Sequence, residues 1–257
     1  VNEAWFEAFQ DYLIANNAEG YAYRLSKQFK TACRRAKFDW PGKQYILNAK
    51  LKASNVTDKE KSVSLSFEQM RTLNAAKLEG RAADVAKMLF VACTTGLRIS
   101  DWHKFRLDAN IIEVERQKFI EIKQQKTGGL AYPPLLVLCE NILPAPGGCL
   151  VPPYWQHLGN EGLWHEFNKA LRAMAPKVGF DTENLTSKIA RKTFTSRFRE
   201  LGGNKDLSDI MSGHVGKKRV SDDYDTNDFK QIAPLLIPAI KEFSKKINPP
   251  SGTVRHL

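Results

Sequence analysis

The sequence predicts a mainly α-helical fold with a small antiparallel β-sheet. Apolar residues recur at three-and-four spacing near the start of the chain and again from Gly162 onward, which is the pattern of amphipathic helices. Between these regions lies a stretch rich in Ile and Val, broken by the pair Gly128-Gly129, which favours short strands joined by a hairpin. With 257 residues, 42% of them hydrophobic, the chain can form one large domain and a small one.

The first sixty residues predict a small basic module of two or three helices. The first helix covers "NEAWFEAFQDYLIANN", and its apolar face consists of Trp5, Phe6, Phe9, Tyr12 and Leu13. A second periodic run extends from Tyr23 to about Phe38. The polar segment "NVTDKEKSVS" then predicts a linker, so we expect domains at 1–57 and 62–257. Because Val1 is not a methionine, we expect the first domain to be truncated at its N-terminus.

The second domain begins with two helices that carry clear end signals. Ser66 and Gln69 form a capping-box pattern at the start of "SFEQMRTLNAAKL". The apolar helix "AADVAKMLFVACTTGLR" is predicted to end at Gly96, which leaves Arg98 just past a buried helix end. The predicted strands follow, and then four further helical stretches: "LWHEFNKALRAMAPKVG", "SKIARKTFTSRFREL", "KDLSDIMSGH" and "FKQIAPLLIPAIKEFSKKI". In the last stretch, Pro234 and Pro238 are expected to break or kink the helix.

Charge and composition favour some classes of function over others. Lys and Arg outnumber Asp and Glu by 39 to 28, a formal charge of +11 that favours a polyanionic partner, nucleic acid above all, although solubility alone would also explain it. No apolar run approaches the roughly 20 residues that span a bilayer. The four cysteines are scattered, which predicts buried thiols in a reducing, cytoplasmic setting. No spacing typical of a zinc site, a P-loop or a hydrolase elbow occurs, so we expect no metal and no cofactor.

A set of polar residues dispersed among apolar segments remains. Asp101 follows Arg98 by three residues in "TTGLRISDW", and Arg191 follows Lys188 by three in "KIARKTF". His214 follows a glycine at a predicted helix end. Taken singly, each has an ordinary explanation: an arginine that caps a helix, a solvated lysine, or a histidine that bonds a helix end. None of them by itself indicates a shared site.

Three segments resemble the sequence boxes of the tyrosine recombinases, the phage-type integrases. "TGLRISD" is similar to the family's first arginine box, "LTSKIARKTF" to its second, and "SGHVGKKRVSDDYD" to its segment from histidine to tyrosine. The resemblance extends from about Ser64 to the C-terminus. The first sixty residues resemble the family's helical core-binding domain, which precedes the catalytic domain, and an arm-binding domain further upstream is compatible with this resemblance.

The resemblance implies a role for each candidate residue. Tyr224 matches the nucleophile, and Arg98 and Arg191 match the two arginines that clamp the scissile phosphate. Lys188 and His214 match the positions that move protons or contact the phosphate, and the lysine at position 188 leaves the identity of the general base open. Asp101 matches an acidic position that braces the site. A further lysine of the family lies in a strand turn, where Lys126 fits and Lys123 is the alternative.

These residue types suit attack on a phosphodiester. Two guanidinium groups match the negative charge that builds on the non-bridging oxygens, while a tyrosine, with a pKa near ~10, requires a base or a positive setting to attack. The resemblance thus implies a site-specific DNA recombinase or integrase that forms a covalent 3′-phosphotyrosine without a metal or cofactor, from a phage or another mobile element. A type IB topoisomerase and a catalytically silent DNA-binding regulator are the alternatives.

The resemblance also implies partners. Four protomers are expected to act as a homotetramer on two DNA duplexes, with DNA-bending accessory proteins of the host or the element. The last helix has an apolar face made of Ile232, Leu235, Leu236, Ile240 and Phe243, which either docks into a neighbouring protomer or packs on its own core. Three aspartates surround Tyr224 and would raise its pKa, so we expect them to point away from the phosphate and to restrain the tyrosine before assembly: Asp222, Asp223 and Asp225.

Overall fold

The structure is a computed structural model that describes residues 3–17, 19–37, 39–52, 64–106, 108–143, 148–182, 185–213 and 226–248. The chain divides into two compact units, Val1–Lys61 and Ser62–Leu257. Most of the predicted linker, residues 55–63, lies outside the described residues. None of the described helices combines the length and the apolar character that crossing a membrane requires.

The described part of the first unit contains the helices α1 (Glu3–Asn16), α2 (Glu19–Arg35) and α3 (Lys43–Asn48). Phe6, Cys33 and Ile46 form its core. The buried Gln10 joins α1 to the chain beyond α3, since its amide donates to the Lys50 carbonyl and accepts from the Lys52 amide. Of the residues predicted on the apolar face of α1, Phe6 and Leu13 are buried, and Trp5 stacks on Phe9 although it is 44% exposed. The prediction for Tyr12 is wrong, since this side chain is 64% exposed.

The second unit is built around helix α5, whose residues from Met88 to Thr95 are all buried. Its helices are α4 (Phe67–Ala75), α5 (Gly80–Thr95), α6 (Val137–Ile142), α7 (Asn160–Met174), α8 (Lys188–Glu200), α9 (Lys205–Ser212) and α10 (Thr226–Ile247). Turns of 3₁₀ helix occur at Ile99–Lys104, Pro153–Trp155 and Ala175–Val178. The mainly α-helical fold with a small antiparallel sheet is thereby confirmed.

Both predicted helix-end signals are present, one at the start of α4 and one at the end of α5. Ser66 accepts a hydrogen bond from the Gln69 amide, and the Gln69 side chain accepts one from the Ser66 amide, which completes the capping box of α4. Helix α5 ends at Gly96, which has a φ of 67° and whose amide bonds to the Ala92 carbonyl. A left-handed residue at this point ends the helix, and the chain continues to Arg98.

The strands form two small antiparallel sheets. Strands β1 (Ile111–Val114), β2 (Gln117–Ile120) and β5 (Pro134–Leu135) are arranged in the order β1-β2-β5, and β3 (Ile122–Lys123) pairs with β4 (Leu130–Ala131). Gly128 has a φ of 71° in the turn between β3 and β4, as the glycine pair predicted. The β1–β2 turn had no such signal, because Glu115 and Arg116 take positive φ there without glycine.

Helix α10 corrects two predictions. It continues from Thr226 to Ile247 with Pro234 and Pro238 inside it, so the prolines do not break the helix. Burial of its apolar side against the unit's own core offsets the cost of the two missing N–H donors. Leu235, predicted to lie on the apolar face, is 67% exposed. The face that packs on the core instead includes Phe229, Leu236, Ile240 and Phe243. Helix α10 thus packs on the core of its own unit, and its docking into a neighbouring protomer stays a prediction.

Substitution of Gly96 by alanine is expected to lower the free energy of unfolding by about 2–4 kcal/mol, since the new residue meets both a strained backbone and a clash. A Cβ at Gly96 would lie 2.5 Å from Cδ1 of Phe194 on α8. Gly179 is the matched control: its φ is 70°, yet a Cβ there meets no atom within 4 Å. Gly179→Ala should therefore cost only about 1 kcal/mol. Urea unfolding measures both, and equal losses would contradict the role of the Phe194 contact.

Candidate active site

Arg98 lies two residues beyond the end of α5 and is half-buried. Its Nη1 donates a hydrogen bond of 2.7 Å to Oε1 of Gln124, just beyond β3. The ordinary explanation of an arginine at this place is an ion pair or a helix cap. Among the described residues the guanidinium instead donates its hydrogen bond to a neutral amide.

Arg191 lies on α8, one turn after Lys188, and is also half-buried. Ile189, Ala190 and Phe194 are buried on the same helix, and this packing holds α8 against α5. Nη2 of Arg191 donates to the carbonyl oxygen of Ser212, the last residue of α9, at 2.5 Å. Its Nη1 is buried and has no hydrogen-bond partner among the residues that the structure describes. A buried cationic donor is costly unless an acceptor satisfies it, so this nitrogen is a candidate for binding an anion.

Gln124 connects the two arginines. Its Nε2 donates to the same Ser212 oxygen that Arg191 bonds, at 2.7 Å, while its Oε1 accepts from Arg98. We call Arg98, Gln124, Ser212 and Arg191, joined by these three hydrogen bonds, the Gln124 network. The residue next to Ser212, Gly213, has a φ of 61°. The Gln124 network therefore joins the segments that follow α5 and β3 to the end of α9 and the first turn of α8.

The charges of the site lie close together. Burial, followed by the nearby cation of Arg98, lowers the pKa of Arg191 to about 10, against a smaller opposite effect of Asp209 and Asp101. Burial also lowers the pKa of Arg98, which Asp101 partly offsets. Both guanidinium groups remain charged near neutral pH. Two like charges held together at the cost of burial are typical of an anion-binding site.

Asp101 is fully buried on the 3₁₀ turn Ile99–Lys104. Its Oδ1 accepts a 2.8 Å hydrogen bond from the backbone amide of Gln125, while its Oδ2 is buried without a partner in the described parts of the chain. A second tie joins the same elements, since Nζ of Lys104 donates to the Lys123 carbonyl. Asp101 thus attaches the β3–β4 hairpin to the turn that follows Arg98.

The three candidate lysines are all exposed. Lys126 lies in the turn between β3 and β4, Lys123 lies in β3 itself, and Lys188 is the first residue of α8. The structure therefore brings together Arg98, Arg191, Asp101 and the backbone of the hairpin that carries Lys126.

His214, Tyr224 and the three aspartates around Tyr224 lie outside the described residues. The chain on either side of them is described. A Cβ added to Gly213 would lie 2.8 Å from Cβ of Ala131, and the Phe229 ring stacks on Tyr132 with centroids 4.0 Å apart. Both flanks of residues 214–225 thus pack on two adjacent residues of the β4 region.

Gln124 is the functional candidate that the motifs missed. In "IKQQKTGG" nothing distinguishes the first glutamine from the second. Strand alternation would have distinguished them: Ile122 is buried, Lys123 is exposed and Gln124 is buried again. A polar side chain on the buried face requires hydrogen-bond partners, which is a signal of a specific contact.

Comparison with known proteins relates this fold to solved structures. No family model and no curated protein matches the sequence. A lambda integrase dimer (residues 75–356) bound to a COC′ core site is 14% identical, with 86% of this chain and 83% of that chain covered and a TM-score of 0.59. XerH site-specific recombinase bound to difH substrate is 14% identical, with 91% and 70% covered and a TM-score of 0.56. A lambda integrase tetramer bound to a Holliday junction is 12% identical, with 88% and 66% covered and a TM-score of 0.55.

At this level of identity the likeness concerns the fold alone. It extends over both units of the chain, since each alignment covers at least 86% of it. The fold that the three sequence boxes predicted is therefore confirmed: this chain has the fold of the tyrosine recombinases.

Proposed function

We propose that this protein is a site-specific DNA recombinase that cleaves and rejoins duplex DNA through a covalent 3′-phosphotyrosine. The observation that carries the proposal is the buried Nη1 of Arg191, which has no hydrogen-bond partner in the described parts of the chain and lies near the cation of Arg98. A phosphodiester offers an acceptor to this donor and two negative oxygens to the two guanidinium groups. The fold adds support, since lambda integrase and XerH were both crystallised on DNA sites.

In the proposed step, the phenolic oxygen of Tyr224 attacks the scissile phosphorus and the bond from phosphorus to the 5′ oxygen breaks. The phenol proton passes to a base, for which His214 and Lys188 are the candidates. The departing 5′ oxygen takes a proton from Lys126, so the products are a 3′-phosphotyrosine and a free 5′ hydroxyl. Arg98 and Arg191 bind the non-bridging oxygens, whose charge grows at the five-coordinate phosphorus. Attack of another 5′ hydroxyl reverses the step and rejoins the strand.

In this proposal Asp101 does not contact the DNA but acts on neighbouring residues of the protein. Its bond to the Gln125 amide holds the residue that directly precedes Lys126. Its negative charge raises the pKa of both arginines and so offsets part of the cost of placing them side by side. These two effects fit the bracing role that the sequence resemblance implies.

The basic residues supply the proposed DNA contacts. On α2 of the first unit, Arg24, Lys27 and Arg35 line one open groove, and the whole chain carries a formal charge of +11. Such contacts release counterions, so binding should weaken steeply with salt. We further propose a homotetramer on two duplexes, in keeping with the lambda integrase tetramer on a Holliday junction, with accessory DNA-bending proteins and an origin in a phage or mobile element.

Covalent trapping tests the function. The protein is incubated with a pool of random-sequence duplexes that carry scattered nicks. Cleavage near a nick releases a short fragment, so the strand cannot be rejoined and the covalent adduct accumulates. Adducts are recovered under denaturing conditions, the attached DNA is sequenced, and the modified peptide is identified by mass spectrometry. An enriched sequence on a peptide that contains Tyr224 is expected. No adduct would favour a silent regulator, and relaxation of any supercoiled plasmid would favour a topoisomerase.

The role of Lys126 gives a separate prediction. Lys126→Ala is expected to slow single-turnover cleavage by about 100-fold or more, because the 5′ oxygen loses its proton donor. A substrate with sulfur in place of that bridging oxygen should restore the rate, since a thiolate leaves without a proton. Lys123→Ala is the control and should cleave both substrates normally. A rate loss in Lys123→Ala with normal cleavage by Lys126→Ala would reverse the assignment.

A further inference from the structure

Gln124 is an amide buried to 1% exposure at the junction of four elements, and both ends of its side chain are used. Its Oε1 accepts from Nη1 of Arg98 at 2.7 Å and from Oγ1 of Thr127 at 2.9 Å. Its Nε2 donates to the Ser212 carbonyl at 2.7 Å. Two donors thus converge on the oxygen and an acceptor faces the nitrogen, which determines the orientation of the amide.

These contacts require an amide. A carboxylate at this position would keep the bond from Arg98 but would set a negative oxygen against the Ser212 carbonyl. An aliphatic side chain would leave Nη1 of Arg98 without its acceptor. Lysine and arginine carry donors only, so neither could accept from Arg98.

The packing around the amide is equally specific. A Cβ on Gly213 would lie 2.5 Å from Cδ of Gln124, so the residue after Ser212 must be small for the amide to reach that carbonyl. Thr127 directly follows Lys126, so the Oε1 bond also ties the lysine turn to Arg98. The single amide therefore contacts the first arginine, the lysine turn and the carbonyl that the second arginine bonds.

We propose that Gln124 is a positioning residue, which orients the Arg98 guanidinium and sets its separation from Arg191 through the shared Ser212 carbonyl. It does not touch the DNA. Its effect reaches the scissile phosphate through the two arginines, so this inference rests on the proposed function. Because misplacing a catalytic group by about 1 Å can cost about 100-fold in rate, the bonds of one amide are enough to matter.

Gln124→Met tests the proposal, since it keeps the approximate volume and removes both hydrogen-bonding ends. Single-turnover cleavage at saturating DNA is expected to fall by about 100-fold, while the Kd for the same DNA stays unchanged. Gln125→Met is the control, because that side chain is exposed and only its backbone amide bonds to Asp101. Normal cleavage by Gln124→Met would overturn the proposal, as would a loss of DNA binding that accounts for the whole loss of cleavage.

A second measurement separates this inference from the proposed function. In protein labelled with ¹⁵N-arginine, the Nη protons of Arg98 are expected to give separate NMR signals, because bonding to Gln124 restricts rotation of the guanidinium. In Gln124→Met these signals should merge, with exposed Arg199 as internal reference. Unchanged Arg98 signals would overturn the positioning role. Failure of the wild-type protein to form any adduct would instead overturn the function and leave the NMR result to decide the inference.

Gln124→Glu is the alternative test of the positioning role if Gln124→Met does not fold. It has nearly the same shape and keeps the acceptor for Arg98, but it replaces the donor to Ser212 with an acceptor. The Arg98 signals are expected to remain separate while cleavage falls, because the tie to Arg191 is lost. Wild-type cleavage by this variant would show that the bond to Ser212 has no positioning effect and would overturn that half of the proposal.

Discussion

Arg191→Met is expected to lower the rate of single-turnover cleavage by about 100- to 1,000-fold, because the transition state loses one of the two guanidinium groups that bind its negative charge. The same substitution is expected to stabilise the protein by about 1–2 kcal/mol at pH 7. Burial and the neighbouring Arg98 lower the pKa of Arg191 to about 10. The charged guanidinium is therefore less favourable in the folded state than in the unfolded chain. The Ser212 carbonyl keeps its bond from Gln124, so the substitution leaves it with a donor.

The gain in stability has a defined pH dependence. Below pH 10 the folded wild-type protein must carry the unfavourable cation, and the gain of Arg191→Met is complete. As pH rises above about 10 toward the higher pKa that this arginine has in the unfolded chain, the folded state releases the proton first, so wild-type stability rises and the difference shrinks. Urea unfolding at pH 7 and at pH 10.5 measures this trend.

Arg199→Met is the matched control for both measurements. Arg199 lies on the same helix, α8, but its side chain is exposed. Cleavage and stability of this variant should stay near those of the wild type. A stability loss in Arg191→Met together with normal cleavage would show that Arg191 is a structural residue and that its buried Nη1 has no ligand.

Tyr224→Phe is expected to abolish covalent attachment to DNA while leaving the Kd for DNA unchanged. The substitution removes only the nucleophilic oxygen, and a phenyl ring cannot form a phosphodiester with the 3′ end. The check is a denaturing gel with end-labelled DNA, together with a binding titration on the same DNA.

Tyr154→Phe is the control for loss of a phenol. Burial, followed by the hydrogen bond from its hydroxyl to Asp84, raises the pKa of Tyr154 to about 12, which makes it a poor nucleophile near neutral pH. This variant should form the adduct at the normal rate. An adduct that persists in Tyr224→Phe would show that another residue attacks the DNA, and peptide mapping of that adduct would identify it.

Local signals in the sequence were sufficient for much of the fold. The capping box at Ser66 and the helix end at Gly96 depend on neighbouring residues along the chain, so both could be predicted and both are confirmed. The predictions for Tyr12 and Leu235 are wrong, since both side chains are exposed. Helical spacing shows which residues lie on one face of a helix, but not how much of that face is buried by the rest of the unit. Pro234 and Pro238 lie within one continuous helix for a similar reason: local chemistry disfavours them, and burial of the rest of the helix outweighs that cost.

The candidate site, too, could be predicted from the sequence only in part. The sequence supplied the candidates, since the order of its arginines, lysines and tyrosine resembles that of the tyrosine recombinases and these residue types suit attack on a phosphodiester. How Arg98 and Arg191, 93 positions apart along the chain, are held beside each other through one buried amide and one carbonyl oxygen could be seen only in the folded protein. A charge and its chemistry belong to a residue, whereas a hydrogen bond between distant elements exists only once packing has excluded water from around it.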